Sequence, residues 1–241
     1  MTISAGAGTP IKQLHKFGGS SLADARCYQR VAGIMADYSQ PGDLMVVSAA
    51  GSTTNQLISW LKLSQSDRLS AHQVQQALRR FHSELIAALL PAEYAETLTA
   101  AFIRDLERLA ALLDGAITDA VYAEVVGHGE IWSARLMAAV LSQRDIEAAW
   151  LDARDFLRAE RAAQPQVDEG KSWPLLQALL AQHPHKRLVV TGFISRSEAG
   201  ETVLLGRNGS DYSATQIGAL AGVNRVTIWS DVALFFSAEL K

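Results

Sequence analysis

One cysteine, Cys27, is all the chain contains. No internal disulfide can form, and a thiol set among charged and apolar residues of a helix-like stretch fits a packed side chain in a reducing compartment. Positive charge is not in excess either, because 22 lysines and arginines stand against 25 aspartates and glutamates and leave a formal net charge of −3. That balance gives no footprint for a phosphate backbone, and no basic run interleaves with aromatics, so nucleic acid is not an expected partner. No stretch approaches the roughly 18 to 20 uninterrupted apolar residues of a membrane span. The N-terminal MTISAGAGTPIKQ has neither the basic start nor the apolar centre of a secretory signal. No membrane partner is expected, and the expected location is the cytoplasm. Internal repeats and low-complexity tracts are also missing.

What is present is enough apolar residue to build a core, 49% of 241 positions, within the size of one large domain or two small ones. Short β-rich runs alternate with longer helical patterns. The candidate strands are KQLHKF (12–17), DLMVVSA (43–49), AAWLDA (148–153), RLVVTGFI (187–194), ETVLLG (201–206) and RVTIWS (225–230). This alternation predicts an α/β domain, a mostly parallel central sheet with helices on both faces. Between 67 and 123 no strand pattern occurs, and helical periodicity broken at Pro91 and Gly115 predicts a helical insertion on one side of the sheet. AERAAQPQVDEGKSWP (159–174) reads as a loop.

Chemistry concentrates where strands run into helices. In QLHKFGGSS (13–21) a strand ends at Lys16-Phe17, Gly18 and Gly19 permit a tight turn, and Ser21 with Asp24 forms a capping box that starts a helix. Amide groups at such a helix start favour an anion, and Lys16 adds a positive charge beside them. The order of residues is not the Walker pattern, since the lysine precedes the glycines. The arrangement recurs in VVSAAGSTTNQLISWL (46–61), with Gly51 and its hydroxyl neighbours, and in VLLGRNGSDYSATQIGALAG (203–222), with Gly206, Gly209 and Ser210. In open α/β sheets ligands lie beyond the carboxyl ends of the strands. Junctions of this kind together make a polyanion site.

The polar residues near these junctions sort by charge. Lys16 and Arg207 suit phosphate and carboxylate. Asp211, and Glu130 in EVVGHGEIWSARLMA, are carboxylates suited to a metal, a lysine or an ammonium group, and Glu130 also reads as an exposed acid at a helix start. GHG is not a dinucleotide fingerprint, because Trp132 takes the place of its third glycine. His183 and His185 flank a proline in a polar loop with no second cluster, so no metal-ligating set is expected from the protein itself. His128 reads as structural, and no Ser-His-Asp or Cys-His set has a supporting context.

KFGGSSLAD, VVSAAGSTTNQL, EVVGHGEIWSARLMA, WLDARDFL, VVTGFISRSEAGETVLLGRNGSDYSA and VTIWSDV together resemble the aspartokinases. The resemblance runs from about Gln13 to Val232 and is strongest to the N-terminal kinase portion of the bifunctional aspartokinase/homoserine dehydrogenases of the methionine-branch type. It implies the amino-acid kinase fold and transfer of the γ-phosphoryl group of MgATP to the side-chain carboxylate of L-aspartate, the first step toward lysine, threonine and methionine. ATP and Mg²⁺ are the implied cofactors. A homo-oligomer is expected separately, through an exposed sheet edge or the helical insertion. By position, the resemblance makes Lys16 the residue that neutralises the transferring phosphoryl group, with Gly18, Gly19, Ser20 and Gly209 at the phosphates. Arg207 takes the substrate α-carboxylate and Glu130 its α-ammonium. Ser48, Thr54, Phe193 and Ser210 line the aspartate pocket, Asp211 orients Lys16, and Ser230 and Asp231 begin the nucleotide pocket.

The family pattern departs after WSDV. Leu234 stands where a glycine is expected, and Glu239-Leu240-Lys241 replaces an Asp-Pro-Arg motif. The expectation is therefore that residues 1–241 hold the aspartate-binding part and only the start of the nucleotide-binding part, C-terminally truncated and lacking regulatory and dehydrogenase domains. On that expectation aspartate binds, MgATP binds weakly or not at all, kinase turnover is negligible and the apolar side chains of the last residues pack on the sheet or on another chain. Two other readings stand beside an active aspartokinase: an inactive fragment that binds aspartate or a partner chain, and another enzyme of the same fold acting on a different carboxylate or carbamate.

Overall fold

The computed structural model describes residues 12–230 in full and the backbone alone of 236–239. Its centre is a six-stranded sheet in the order β3-β4-β2-β1-β7-β8, formed by β1 (Gln13–Phe17), β2 (Leu44–Val47), β3 (Ala148–Leu151), β4 (Arg187–Thr191), β7 (Arg225–Trp229) and β8 (Phe236–Glu239). All pairings are parallel except that of β8 with β7. A parallel sheet covered on both faces needs apolar residues on both, and β2, read LMVV, is buried at every position.

Side chains alternate along each strand, and the alternation sorts the core into two clusters. Leu14, Leu44, Val46, Leu188 and Val190 lie on the face covered by α7 (Glu169–Gln182) and α8 (Gly209–Ala221). Phe17, Met45, Val47 and Val189 lie on the other, under α1 (Ala25–Tyr38) and α6 (His128–Ser142). Lys16, two residues from Leu14, therefore leaves β1 on the α8 face. The expected helical insertion is α3 (Arg68–Leu89), α4 (Ala92–Leu113) and α5 (Asp119–Val126), which follow α2 (Thr53–Ser64) and pack on the α1/α6 side. Pro91 and Gly115 lie in its breaks, as the sequence predicts.

Four local readings are corrected. RLVVTGFI is not one strand: it splits into β4 and β5 (Ile194–Arg196), because Phe193 takes a left-handed backbone at φ 66° and ends the alternation. ETVLLG becomes β6 (Thr202–Leu204), which pairs antiparallel with β5 in a separate two-stranded sheet and takes no place in the central one. The Ser21–Asp24 capping box does not form. A 3₁₀ turn at Ser20–Leu22 intervenes, and Asp24 itself caps α1 by accepting the Cys27 N–H at 2.8 Å. The loop expected over 159–174 ends early, since Asp168 caps α7 and helix begins at Glu169 with Pro174 inside it. Cys27 is half-buried in α1.

Candidate active site

A cavity of about 380 Å³ opens beyond the carboxyl ends of β1 and β2. Lys16, Gly18 and Gly19 reach it from β1, Ser48, Ala49 and Gly51 from β2, and Thr54 and Asn55 from the first turn of α2. Gly206, Asn208, Gly209, Ser210 and Asp211 close it from the turn that leads into α8. The loops are stitched to one another: Ser48 N–H donates to the Phe17 carbonyl at 3.1 Å and Gly51 N–H to the Gly19 carbonyl at 2.9 Å. A side chain at Gly19 would put its Cβ 2.9 Å from the Ala49 carbonyl oxygen, so only glycine allows the two loops to meet. The 3₁₀ turn, α2 and α8 all begin here without a side-chain cap. Helix amino ends of this kind suit phosphate or carboxylate.

The charged groups are placed by the two faces of the sheet. Lys16, on the α8 face, meets Asp211 in the first turn of α8, with Nζ 2.5 Å from Oδ1. The lysine side chain is 10% exposed and the aspartate 40%, so the pair stands at the cavity wall with water reaching one side. Glu130 enters from the opposite helix layer, in the first turn of α6. It is buried, and its Oε1 accepts the Ala49 N–H at 3.1 Å. Its Oε2 has no hydrogen-bond partner among the described residues. Burial pushes its carboxyl up to about 8, against a downward pull from the Ala49 amide. A buried carboxyl group with one oxygen lacking a protein partner, beside a polar cavity, is chemically suited to a cation.

The neighbouring histidine does not join this chemistry. His128 Nδ1–H donates to the Glu124 carbonyl at 2.7 Å, and its Nε2 accepts from Arg108 at 2.7 Å. Burial holds the imidazole below its ordinary pKa, so it is a neutral structural group fastening α6 to α5.

Residues 12–239 match the sequence model described as the Amino acid kinase family. The chain belongs to that family. It is 78% identical over 239 residues to the bifunctional aspartokinase/homoserine dehydrogenase 2 of Escherichia coli K12, covering 99% of this chain and 30% of that protein. It is 30% identical to the lysine-sensitive aspartokinase 3 of the same organism over 93% of this chain and 50% of that protein. Its fold is similar to the crystal structure of E. coli aspartokinase III in complex with aspartate and ADP, with a TM-score of 0.84 and 29% identity over 92% of this chain and 49% of that one. The chain thus spans a third to a half of the length of these relatives.

In this amino acid kinase the fold brings together Lys16, Gly18, Gly19, Ser48, Thr54, Glu130, Phe193, Gly209, Ser210 and Asp211 on one cavity. Ser20 is exposed in the 3₁₀ turn and does not line it. Arg207 is exposed as well, and lines an adjoining cavity with Gln164, Gln166 and Tyr212 that shares Gly206 with the first. Ser230 follows β7 at the same edge of the sheet, one strand from Gly18, outside the cavity lining. Asp231, Leu234, Leu240 and Lys241 and the tail's side chains lie outside the described residues; the backbone of 236–239 pairs antiparallel with β7. The sequence reading missed Asn55 and Asn208. Asn208, at φ 55° between Gly206 and Gly209, had a signal in the turn-forming GRNG; Asn55 had none beyond its place after Thr54. Among the described residues no group of three or more histidine, cysteine, aspartate or glutamate side chains could hold a metal.

Proposed function

We propose that this amino acid kinase transfers the γ-phosphoryl group of MgATP to the side-chain carboxylate of L-aspartate, giving 4-phospho-L-aspartate. In this reading the chain carries the aspartate-binding part and the beginning of the nucleotide-binding part. The observation that supports it most is Glu130, which lines a cavity that also holds the Lys16–Asp211 pair and whose buried Oε2 has no hydrogen-bond partner among the described residues. An α-amino acid supplies what that oxygen lacks, a cationic donor, and places its side-chain carboxylate at the helix amino ends. The identity to a bifunctional aspartokinase supports the same substrate. Lys16 then neutralises the phosphoryl oxygens in flight, Asp211 holds Lys16 in place, and the loop amides around Gly18, Gly19 and Gly209 cradle phosphate. Magnesium brought in with the nucleotide shields phosphate charge. No general base is needed, because a carboxylate nucleophile with an ordinary pKa near 3.9 is ionised at neutral pH, and phosphoryl transfer rests on positioning and electrostatics.

The test is calorimetry of the chain with L-aspartate, L-glutamate and MgATP, together with ADP release in the presence of each amino acid. Aspartate is expected to bind the chain, and to stimulate ADP release by the longer parent enzyme. Lys16→Ala is expected to lower that release by about 10²- to 10³-fold, the usual effect of losing a preorganised charge at a reacting phosphoryl group. Release that survives the substitution within about threefold would remove Lys16 from the chemistry. A different carboxylate turning over faster would replace the substrate.

A further inference from the structure

The helical insertion does more than cover the sheet. His82, near the middle of α3, is buried among Phe81, Phe102 and Trp132, each with its ring centroid 4.8–5.0 Å from a neighbour in the cluster. Its Nε2 lies 3.1 Å from Thr53 Oγ1, the first residue of α2. The Thr53 hydroxyl proton is already committed to the Ala50 carbonyl at 2.6 Å. Oγ1 can therefore only accept from the histidine, which fixes the tautomer with its proton on Nε2. Burial pushes the imidazole down to about 3, so it remains a neutral donor at any physiological pH.

Thr53 is the point where three parts of the site touch. Its N–H and hydroxyl both bond the Ala50 carbonyl, closing the turn 50–53. The same turn presents the Ala49 N–H to Glu130 and the Gly51 N–H to the Gly19 carbonyl. On its other side the Thr53 methyl abuts α6: a Cβ built on Gly129 would fall 3.1 Å from Thr53 Cγ2 and 2.6 Å from Ala49 Cβ. Thr53 is thus wedged between the helix that carries Glu130 and the loop whose Ala49 amide bonds it, with one side-chain bond left to hold it from behind. That bond comes from His82.

We propose that His82 is a positioning residue for the amino-acid subsite: through Thr53 it holds the turn 49–53 in register with Glu130. The proposal rests on the aspartate reading for its ligand and on the geometry alone for its positioning claim. Leucine at 82 keeps an apolar side chain in the aromatic cage and removes the donor; glutamine reaches a donor toward the same oxygen. His82→Leu is expected to raise the Kd for L-aspartate about tenfold, as for loss of one buried hydrogen bond. It should also speed amide exchange at Ala49 and Gly51 by about tenfold relative to Val189 and Val190 in β4. His82→Gln should restore both. Thr53→Val, which keeps the shape but removes both the acceptor and the bond to the Ala50 carbonyl, should be at least as severe as His82→Leu, with the double variant no worse than Thr53→Val alone. Unchanged exchange at Ala49 and Gly51 in both single variants overturns the proposal whatever the ligand does. If exchange responds as stated while the unmodified protein binds no aspartate, the positioning role stands and the substrate reading fails.

Discussion

At the scale of single residues, Glu130 has the most unusual physics. Its carboxyl rises from an ordinary 4.5 to about 8, chiefly through burial. A substrate ammonium against its bare oxygen favours the charged form and draws the value down again. Aspartate affinity should therefore rise with pH by about tenfold per pH unit below pH 8 and level off above it. Calorimetry near pH 7 in two buffers of different ionisation enthalpy should register proton release on binding; binding with no proton release removes the assigned partnership. Stability runs the opposite way. A carboxyl raised in the folded state disfavours its own ionisation there, so stability present below about pH 4.5 is lost as pH climbs through 8. Glu130→Gln should accordingly bind no aspartate and, at pH 8, unfold at higher denaturant. The gain is a few kcal/mol, since each tenfold change in an ionisation equilibrium is worth about 1.4 kcal/mol. The residue weakens the fold where it serves the site.

At the scale of elements, the turn from β6 into α8 controls what the cavity can grip. Gly206 at φ 80° and Asn208 at φ 55° hold a left-handed turn with Arg207 between them, its side chain over the adjoining cavity. The arginine stands one residue from two that line the site, and in the proposed function it takes the substrate α-carboxylate. A guanidinium closing on an α-carboxylate makes two parallel hydrogen bonds that an ammonium cannot. Arg207→Lys should thus weaken aspartate by about tenfold while leaving the nucleotide within about twofold, read by calorimetry with each ligand separately. Equal losses for both ligands would assign Arg207 to the phosphates. The β5–β6 hairpin explains why the turn sits here: Phe193 N–H donates to Ser213 Oγ at 2.8 Å, and Leu205 N–H to the Phe193 carbonyl at 2.8 Å. These bonds tie the hairpin to α8 and to the end of β4.

At the scale of the whole molecule, the site joins β1, β2, α2, α6 and α8, segments far apart in the chain, so its ligand should stabilise the entire fold. L-Aspartate at a hundredfold its Kd adds about 2.7 kcal/mol. For a domain of this size that raises Tm by roughly 5–10 °C, and a thermal melt unmoved by aspartate would place the ligand elsewhere. Much of this architecture was legible beforehand. The buried run LMVV, the glycines after Lys16 and the helical periodicity between Pro91 and Gly115 are local signals, because strand burial, tight turns and helix breaks depend on the residues at hand. The cation, the small-residue loops and the family resemblance were equally in the sequence. What the sequence left open was anything decided by a neighbour distant in the chain. Whether Glu130 was an exposed acid or a buried carboxyl group depended on Ala49 and the α6 layer; whether RLVVTGFI was one strand or two depended on where ETVLLG paired; and His82 gave no sign of its bond to Thr53 across 29 residues. Local chemistry is carried by adjacent residues and can be read in order, whereas burial and partnership exist only once the chain has folded back on itself.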